Sequence, residues 1–279
     1  MIETEAFASA PWRDIPVDAL GPANAVPTML NEEERQLYFW ITREMAGAEG
    51  AIVDLGCFAG GSTACLAEGN RQGGGSAQLY AYDQFTASEK VKARQLYPKG
   101  IAPFKGRNIE PLVRELLSPW APHVTLCRGR IEEQAWENGP ISILVLDASK
   151  STDTMDRMAE TFFPHLVPGL SLVVQQDELH WKEPWIAAQM QRMAEWFEPL
   201  CFVPGNMVVY RLMKPIDAAA LEAGRTEGMT DEALIAALEA SKARLPLPVV
   251  EERLSRQIEA VRLNPGLRFS PSFKNRPKR

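Results

Sequence analysis

The 279 residues suffice for one large α/β domain with an appendage, and a hydrophobic share of 46% permits a real core and argues against disorder. A formal net charge of −6 predicts no affinity for nucleic acid or an anionic membrane. The basic residues Lys274, Arg276, Lys278 and Arg279 read as a solvated tail. No segment has the pattern of a secretory leader or the length of an apolar bilayer span, so the expected location is the cytoplasm. The four cysteines form no CxxC pair, as in a reducing compartment, and the three scattered histidines give no metal-ligand spacing.

Residues 1–30, rich in Pro and Ala, read as an irregular arm. Asn31 then resembles a helix N-cap, with Glu34 placed to close a capping box. Leu37, Trp40, Ile41 and Met45 follow as one apolar stripe, and that helix should end near Gly47. From there five apolar runs alternate with helical periodicity: 51–56, 77–83, 124–129, 141–147 and 170–177. Runs of this kind suit parallel strands covered on both faces. Met155, Met158 and Phe162 form one intervening stripe; Ile186, Met190, Met193 and Phe197 form another after Pro184. The segments 199–205 and 206–213 meet at Gly205-Asn206, a hairpin signal, which adds an antiparallel strand to the sheet. The fold expected is a doubly wound, mostly parallel seven-stranded α/β sheet over residues 31–213. Residues 214–279 should form a helical extension, with helices near 231–243 and 248–263. The stripe Val250, Leu254, Ile258 and Val261 must then bury against the core or a second copy of the chain.

Ligands of such sheets bind outside the carboxyl ends of the strands. Asp54, Asp83, Asp147 and Asp177 stand there. Between the first strand and the next helix lies Asp54-Leu-Gly-Cys-Phe-Ala-Gly-Gly-Ser62, whose small residues let a ligand approach the backbone. A dinucleotide fingerprint would need glycine at position 58, where Phe58 stands, and no Gly-Lys-Ser/Thr follows to make a Walker loop.

The segment VDLGCFAGGST resembles the first motif of class I S-adenosylmethionine-dependent methyltransferases, and its GxxxGGS form is similar to that of the macrocin O-methyltransferase group. The middle glycine of the motif is missing. The resemblance extends to Asp83, to the sequence around Asp147 and to the run ending at Asp177, and covers about residues 30–213. It implies a Rossmann-like methyltransferase fold and S-adenosylmethionine as methyl donor. The implied donor site comprises Asp54, Gly56, Phe58, Gly60, Gly61, Ser62, Asp83, Gln84, Arg130 and Ile131. Asp83 would accept from the ribose diol, Asp54 would face the ammonium, and Ile131 would lie on the adenine unless it is an ordinary core residue.

A hydroxyl acceptor must also lose its proton. Asp147, Asp177, Glu178 and His180 cluster at neighbouring strand ends, and three readings stay open. Asp147, Asp177 and Glu178 hold one Mg²⁺, as the macrocin-like group implies; or His180 and the aspartates act as a metal-free base; or the acids are structural. Ser149 and Gln176 stand where that group has further acids. The expected acceptor is a small-molecule hydroxyl, on a sugar or natural product. Rival readings are a nicotinamide-dependent oxidoreductase and a catalytically silent partner protein on the same fold.

Overall fold

The computed structural model describes residues 4–244 and 248–278; Arg279 of the basic tail lies outside them. In chain order the elements are α1 (Thr4–Ala8), α2 (Glu32–Glu44), β1 (Ala51–Leu55), α3 (Gly61–Gln72), β2 (Leu79–Asp83), α4 (Glu89–Gln95), α5 (Glu110–Leu116), β3 (Val124–Arg128), β4 (Ile141–Leu146), α6 (Thr152–Phe162), β5 (Leu172–Gln175), α7 (Pro184–Arg192), β6 (Phe197–Val203), β7 (Met207–Leu212), α8 (Ala218–Gly224), α9 (Asp231–Arg244) and α10 (Pro248–Leu263). The seven strands form one sheet in the order β3-β2-β1-β4-β5-β7-β6. β1 and β3 pair parallel with β2, and β7 runs antiparallel to both β5 and β6. This is the mostly parallel α/β sheet expected from the alternating apolar runs. The chain divides into two compact units, one of residues 1–134 with 138–144, the other of 135–137 with 145–279. The division falls within β4 and does not coincide with the boundaries at 30 and 213 drawn from composition.

In the first unit, α2 starts as its sequence predicts. The Asn31 side chain accepts from the Glu34 backbone N–H at 3.0 Å, and the Glu34 carboxylate accepts from the Asn31 N–H at 2.8 Å. The segment before it is not an irregular arm. It contains α1 and 3₁₀ turns at Pro11–Asp14 and Val17–Ala25, and it buries Phe7, Trp12 and Leu20 almost completely. Phe7 meets Trp40 edge-on at 5.1 Å, so aromatic packing outweighs the Pro-rich composition that suggested a loose arm. The tightest joint is between α2 and α3. A Cβ at Gly69 would overlap the Phe39 carbonyl and the Thr42 hydroxyl, so only glycine lets the two helices approach this closely.

In the second unit, the hairpin signal is realised by β6 and β7, with Pro204 to Asn206 as the turn. The apolar stripe after Pro184 ends early: α7 stops at Arg192, and Phe197 begins β6 instead of completing a helical face. The helices expected near 231–243 and 248–263 are α9 and α10, while α8 escaped the periodicity reading because it is a short, alanine-rich turn. Val250, Leu254, Ile258 and Val261 are each no more than 2% exposed within the chain itself. The stripe is therefore covered within the chain itself.

Three features tie the C-terminal extension to the loops and turns around the strands of this unit. Gln257 Nε2 donates to the Glu178 carbonyl at 2.6 Å, Arg253 donates to Asn206 at 2.6 Å, and Phe269 forms an isolated β-bridge with Ser151. Asp156, buried on α6, receives the Thr226 and Glu227 backbone N–H groups at 3.0 and 2.7 Å, which fixes the segment after α8. Glu178 is buried behind β7, where Tyr210 donates its hydroxyl to Oε1 at 2.6 Å. Burial pushes the Glu178 carboxyl up to about 7, with Tyr210 and Arg244 opposing.

Two stability predictions follow from these joints. Gly69→Ala should destabilise the protein by roughly 2 kcal/mol or more, the scale of overpacking in a closed core. Urea denaturation measures this, and an unchanged midpoint would show that α2 and α3 can yield. Glu178 is protonated in the folded chain up to about 7, whereas an ordinary glutamate ionises near 4.5. Stability should therefore fall as pH rises across that window and level off above it. Glu178→Gln stays neutral and can still accept from Tyr210. It should melt higher than the wild type near pH 8, by about 2 to 3 kcal/mol, and show little gain near pH 5. Equal melting at both pH values would mean that Glu178 carries no buried charge.

Candidate active site

In the first unit, the loop after β1 is built around two carboxylates, one buried and one partly covered. Asp54, the fourth residue of β1, is inaccessible to solvent. Its Oδ2 accepts from the hydroxyls of Ser62 and Thr63, both at 2.7 Å, on the first turn of α3. Its Oδ1 is buried with no hydrogen-bond partner among the described residues. Burial raises the Asp54 carboxyl to about 6 against these two hydroxyls, and the charge of Asp83 adds to the rise. Asp54 therefore braces the loop from behind. Ser62, expected to face the donor, spends its hydroxyl on this brace.

Asp83 ends β2 and is only partly covered. Its Oδ2 accepts from the Phe58 N–H at 3.0 Å, and its Oδ1 from the Phe85 N–H at 2.6 Å. Both donors are non-glycine residues with left-handed backbone, φ 49° at Phe58 and φ 51° at Phe85. Such conformations cost about 1 to 3 kcal/mol each and persist where the surroundings enforce them. Here two of them aim N–H groups at one carboxylate. Phe58 thus stands in place of the motif's middle glycine by adopting a glycine-like backbone. Gly56 (φ 98°) and Gly60 (φ 89°) complete the turn. Gly61 is required for a different reason: a Cβ there would lie 2.7 Å from the Pro27 carbonyl oxygen. α3 begins at Gly61, and its leading N–H groups have no acceptor within the helix.

The remaining donor candidates divide. Gln84 is exposed beside Asp83, and Gly129 N–H closes on the Asp83 carbonyl at 3.1 Å. Arg130 is exposed and lies 3.6 Å from Glu132, while Ile131 is 8% exposed, close to an ordinary core residue.

The loop fits S-adenosylmethionine. Each Asp83 oxygen keeps a lone pair beyond its backbone bond, as a ribose diol requires. The buried, unpartnered Oδ1 of Asp54 would be satisfied by water or by the donor's ammonium.

In the second unit, the acids after β4 and β5 gather around a lysine that composition and motif did not single out. Lys150 Nζ lies 2.5 Å from Asp177 Oδ2, 3.4 Å from Glu183 Oε1 and 3.7 Å from Asp147 Oδ1. Lys150 is held charged, and its own charge keeps the partly buried Asp177 carboxyl below the usual range. Burial and the neighbouring Asp177 charge push Glu183 up to about 8. His180 Nδ1 is buried without a hydrogen-bond partner among the described residues, 3.8 Å from Glu183 Oε2. Burial lowers its pKa, favouring the neutral ring. Glu178 stands apart from this group: its Oε1 accepts from Tyr210 on β7, and its Oε2 is buried with no hydrogen-bond partner among the described residues.

The trio Asp147, Asp177 and Glu178 therefore does not fit Mg²⁺. An ammonium sits against two of the three and the third is engaged elsewhere. Among the described residues no group of three or more His, Cys, Asp or Glu side chains is arranged to hold a metal ion. Lys150 and Glu183 escaped the sequence reading because neither belongs to a motif; only the fold brings them to Asp177. The spacing Asp147-x-x-Lys150 was the one available signal.

Residues 53–175 match a family model described as a methyltransferase domain. No curated protein matches the chain. Among solved structures, the O-methyltransferase NovP is 13% identical with a TM-score of 0.49, over 66% of this chain and 79% of that one. The SAH-bound Podospora anserina methyltransferase PaMTH1 is 15% identical with a TM-score of 0.47, over 76% and 96%. The calicheamicin methyltransferase CalS11 is 16% identical with a TM-score of 0.46, over 75% and 90%. The family match over residues 53–175 and the mostly parallel seven-stranded sheet are those of a Rossmann-like methyltransferase fold.

Proposed function

We propose that the protein is a cytoplasmic S-adenosylmethionine-dependent methyltransferase that methylates a hydroxyl of a small molecule. The observation that carries the reading is the clamp on Asp83, whose two oxygens are fixed by the Phe58 and Phe85 N–H groups with lone pairs left for a diol. A carboxylate oriented in this way accepts two charge-assisted hydrogen bonds without reorganising. The free thiols of Cys57, Cys65, Cys127 and Cys201 accord with a reducing compartment.

When bound, S-adenosylmethionine supplies a methyl group on a cationic sulfur that departs as a neutral thioether. The first unit's residues hold and orient it: Asp83 at the ribose, the loop from Gly56 to Gly60 and the start of α3 at the carboxylate. In the second unit, the cluster after β4 and β5 offers groups suited to an acceptor's proton. A hydroxyl oxygen must shed its proton as its lone pair forms the new O–CH₃ bond. Neutral His180, whose side chain is 32% exposed, is the group able to take that proton. Asp177 is the poorer base, since its ion pair with Lys150 stabilises the ionised form. A centre built to move a proton favours oxygen over acceptors that are already nucleophilic. The likeness to the macrocin group points the same way, toward sugar or natural-product hydroxyls.

Titration calorimetry with S-adenosylmethionine, S-adenosylhomocysteine and NAD tests the donor. Both adenosyl ligands should bind and NAD should not; NAD binding alone would replace this reading with the oxidoreductase. Asp83→Ala should weaken S-adenosylhomocysteine binding roughly thirtyfold or more, about 2 kcal/mol or above. Against a panel of sugar and phenolic hydroxyls, His180→Ala should cut transfer by about a hundredfold. Its affinity for S-adenosylhomocysteine should stay within about twofold of wild type. Full transfer by His180→Ala would remove it as the base. Donor binding with no transfer to any acceptor would favour a silent partner protein.

A further inference from the structure

The segment from Asp147 to Thr152 is held with unusual completeness. The Trp185 indole N–H donates to the Ser149 carbonyl at 2.8 Å, the Ser270 N–H to the Lys150 carbonyl at 2.8 Å, and the Thr152 N–H to the Arg268 carbonyl at 3.3 Å. The bridge between Ser151 and Phe269 lies between the last two. Lys150 is thus fixed by its own backbone, and its side chain carries an ammonium into a nest of three carboxyl groups.

That arrangement has the chemistry of a cation site already filled. An ammonium has three donors, and three carboxyl groups surround it. A divalent ion bound by Asp177 would need an oxygen at about 2.0 to 2.5 Å and most of its shell in oxygen. Lys150 Nζ already sits 2.5 Å from Asp177 Oδ2, so a metal there would meet a like charge in the same space. The charges agree as well. One ammonium balances only part of three ionised acids, and Glu183, the least exposed of them, is the acid whose burial keeps its proton to about 8.

We propose that Lys150 is the resident cation of this centre: its ammonium stands where the macrocin-like resemblance would put Mg²⁺, holds Asp147 and Asp177 in place, and keeps divalent metal out. Its service to methyl transfer as a positioning residue rests on the methyltransferase reading; the exclusion of metal does not.

Mn²⁺ titrated into the full chain, with the free ion followed by electron paramagnetic resonance, tests this directly. The wild type and Lys150→Arg should leave the ion free. Lys150→Met, which removes the ammonium, should bind Mn²⁺ at least about tenfold more tightly than the wild type, and adding Asp177→Asn should abolish the gain. Stoichiometric Mn²⁺ on the wild type, lost in Asp177→Asn, would overturn the proposal. So would a folded Lys150→Met that binds no better than wild type. Should Lys150→Met not fold, the wild type and Asp177→Asn decide alone. S-adenosylhomocysteine titrated into the same samples reports separately on the donor site, so failure of the methyltransferase reading is distinguishable from failure of this one.

Discussion

A carboxylate withdrawn from water must be met by donors or give up its charge, and most of the site's construction answers that constraint. The acids at the strand ends are met in three different ways. Asp54 takes two hydroxyls from the start of α3. Asp83 takes two backbone N–H groups. Asp177 takes an ammonium. Each solution recruits a different stretch of chain and fixes it. The shape of the loop after β1 and the path of the segment after β4 are consequences of where the acids lie.

The same constraint recurs away from the strand ends. Glu68 on α3 is buried and collects the Trp120 indole N–H at 2.9 Å as well as Arg71 and Gln72. Asp156 collects backbone N–H groups and the Gln189 amide at 3.1 Å. Where donors run short, the charge gives way instead: Glu178 and Glu183 are both shifted upward, burial being the largest cause. Networks of this kind specify one arrangement more sharply than apolar packing does, because a half-satisfied member is costly.

Much of the fold was legible in the sequence because hydrophobic period and capping chemistry are local. The Asn31–Glu34 box, the five apolar runs, the turn at Gly205-Asn206 and the two late helices all follow from neighbours within a few residues. What was not legible was tertiary. The segment before Asn31 looked loose because proline and alanine dominate it, yet Phe7 and Trp12 anchor it on Trp40. Phe197 kept the helical spacing of Ile186 and Met190 while belonging to β6. Within each unit's cluster, the positions of the acids (Asp54 and Asp83 in the first, Asp147 and Asp177 in the second) could be read, but their partners could not. Left-handed backbone at Phe58 and Phe85 has no glycine to announce it. Lys150 meets Asp177 and Glu183 only once β4, β5 and α7 are assembled. Glu178 looked like a ligand by adjacency alone, and its burial against Tyr210 turns it the other way.

The bridge between Ser151 and Phe269 joins points separated by most of the second unit's length. A contact of that span closes late on the path from the disordered chain, since the entropy of a long loop must be met before the contact can repay it. The strands and helices of the unit can therefore form around a segment that still lacks its final strap. Local opening of that strap in the finished protein would take away part of the backbone support of Lys150 without melting the sheet.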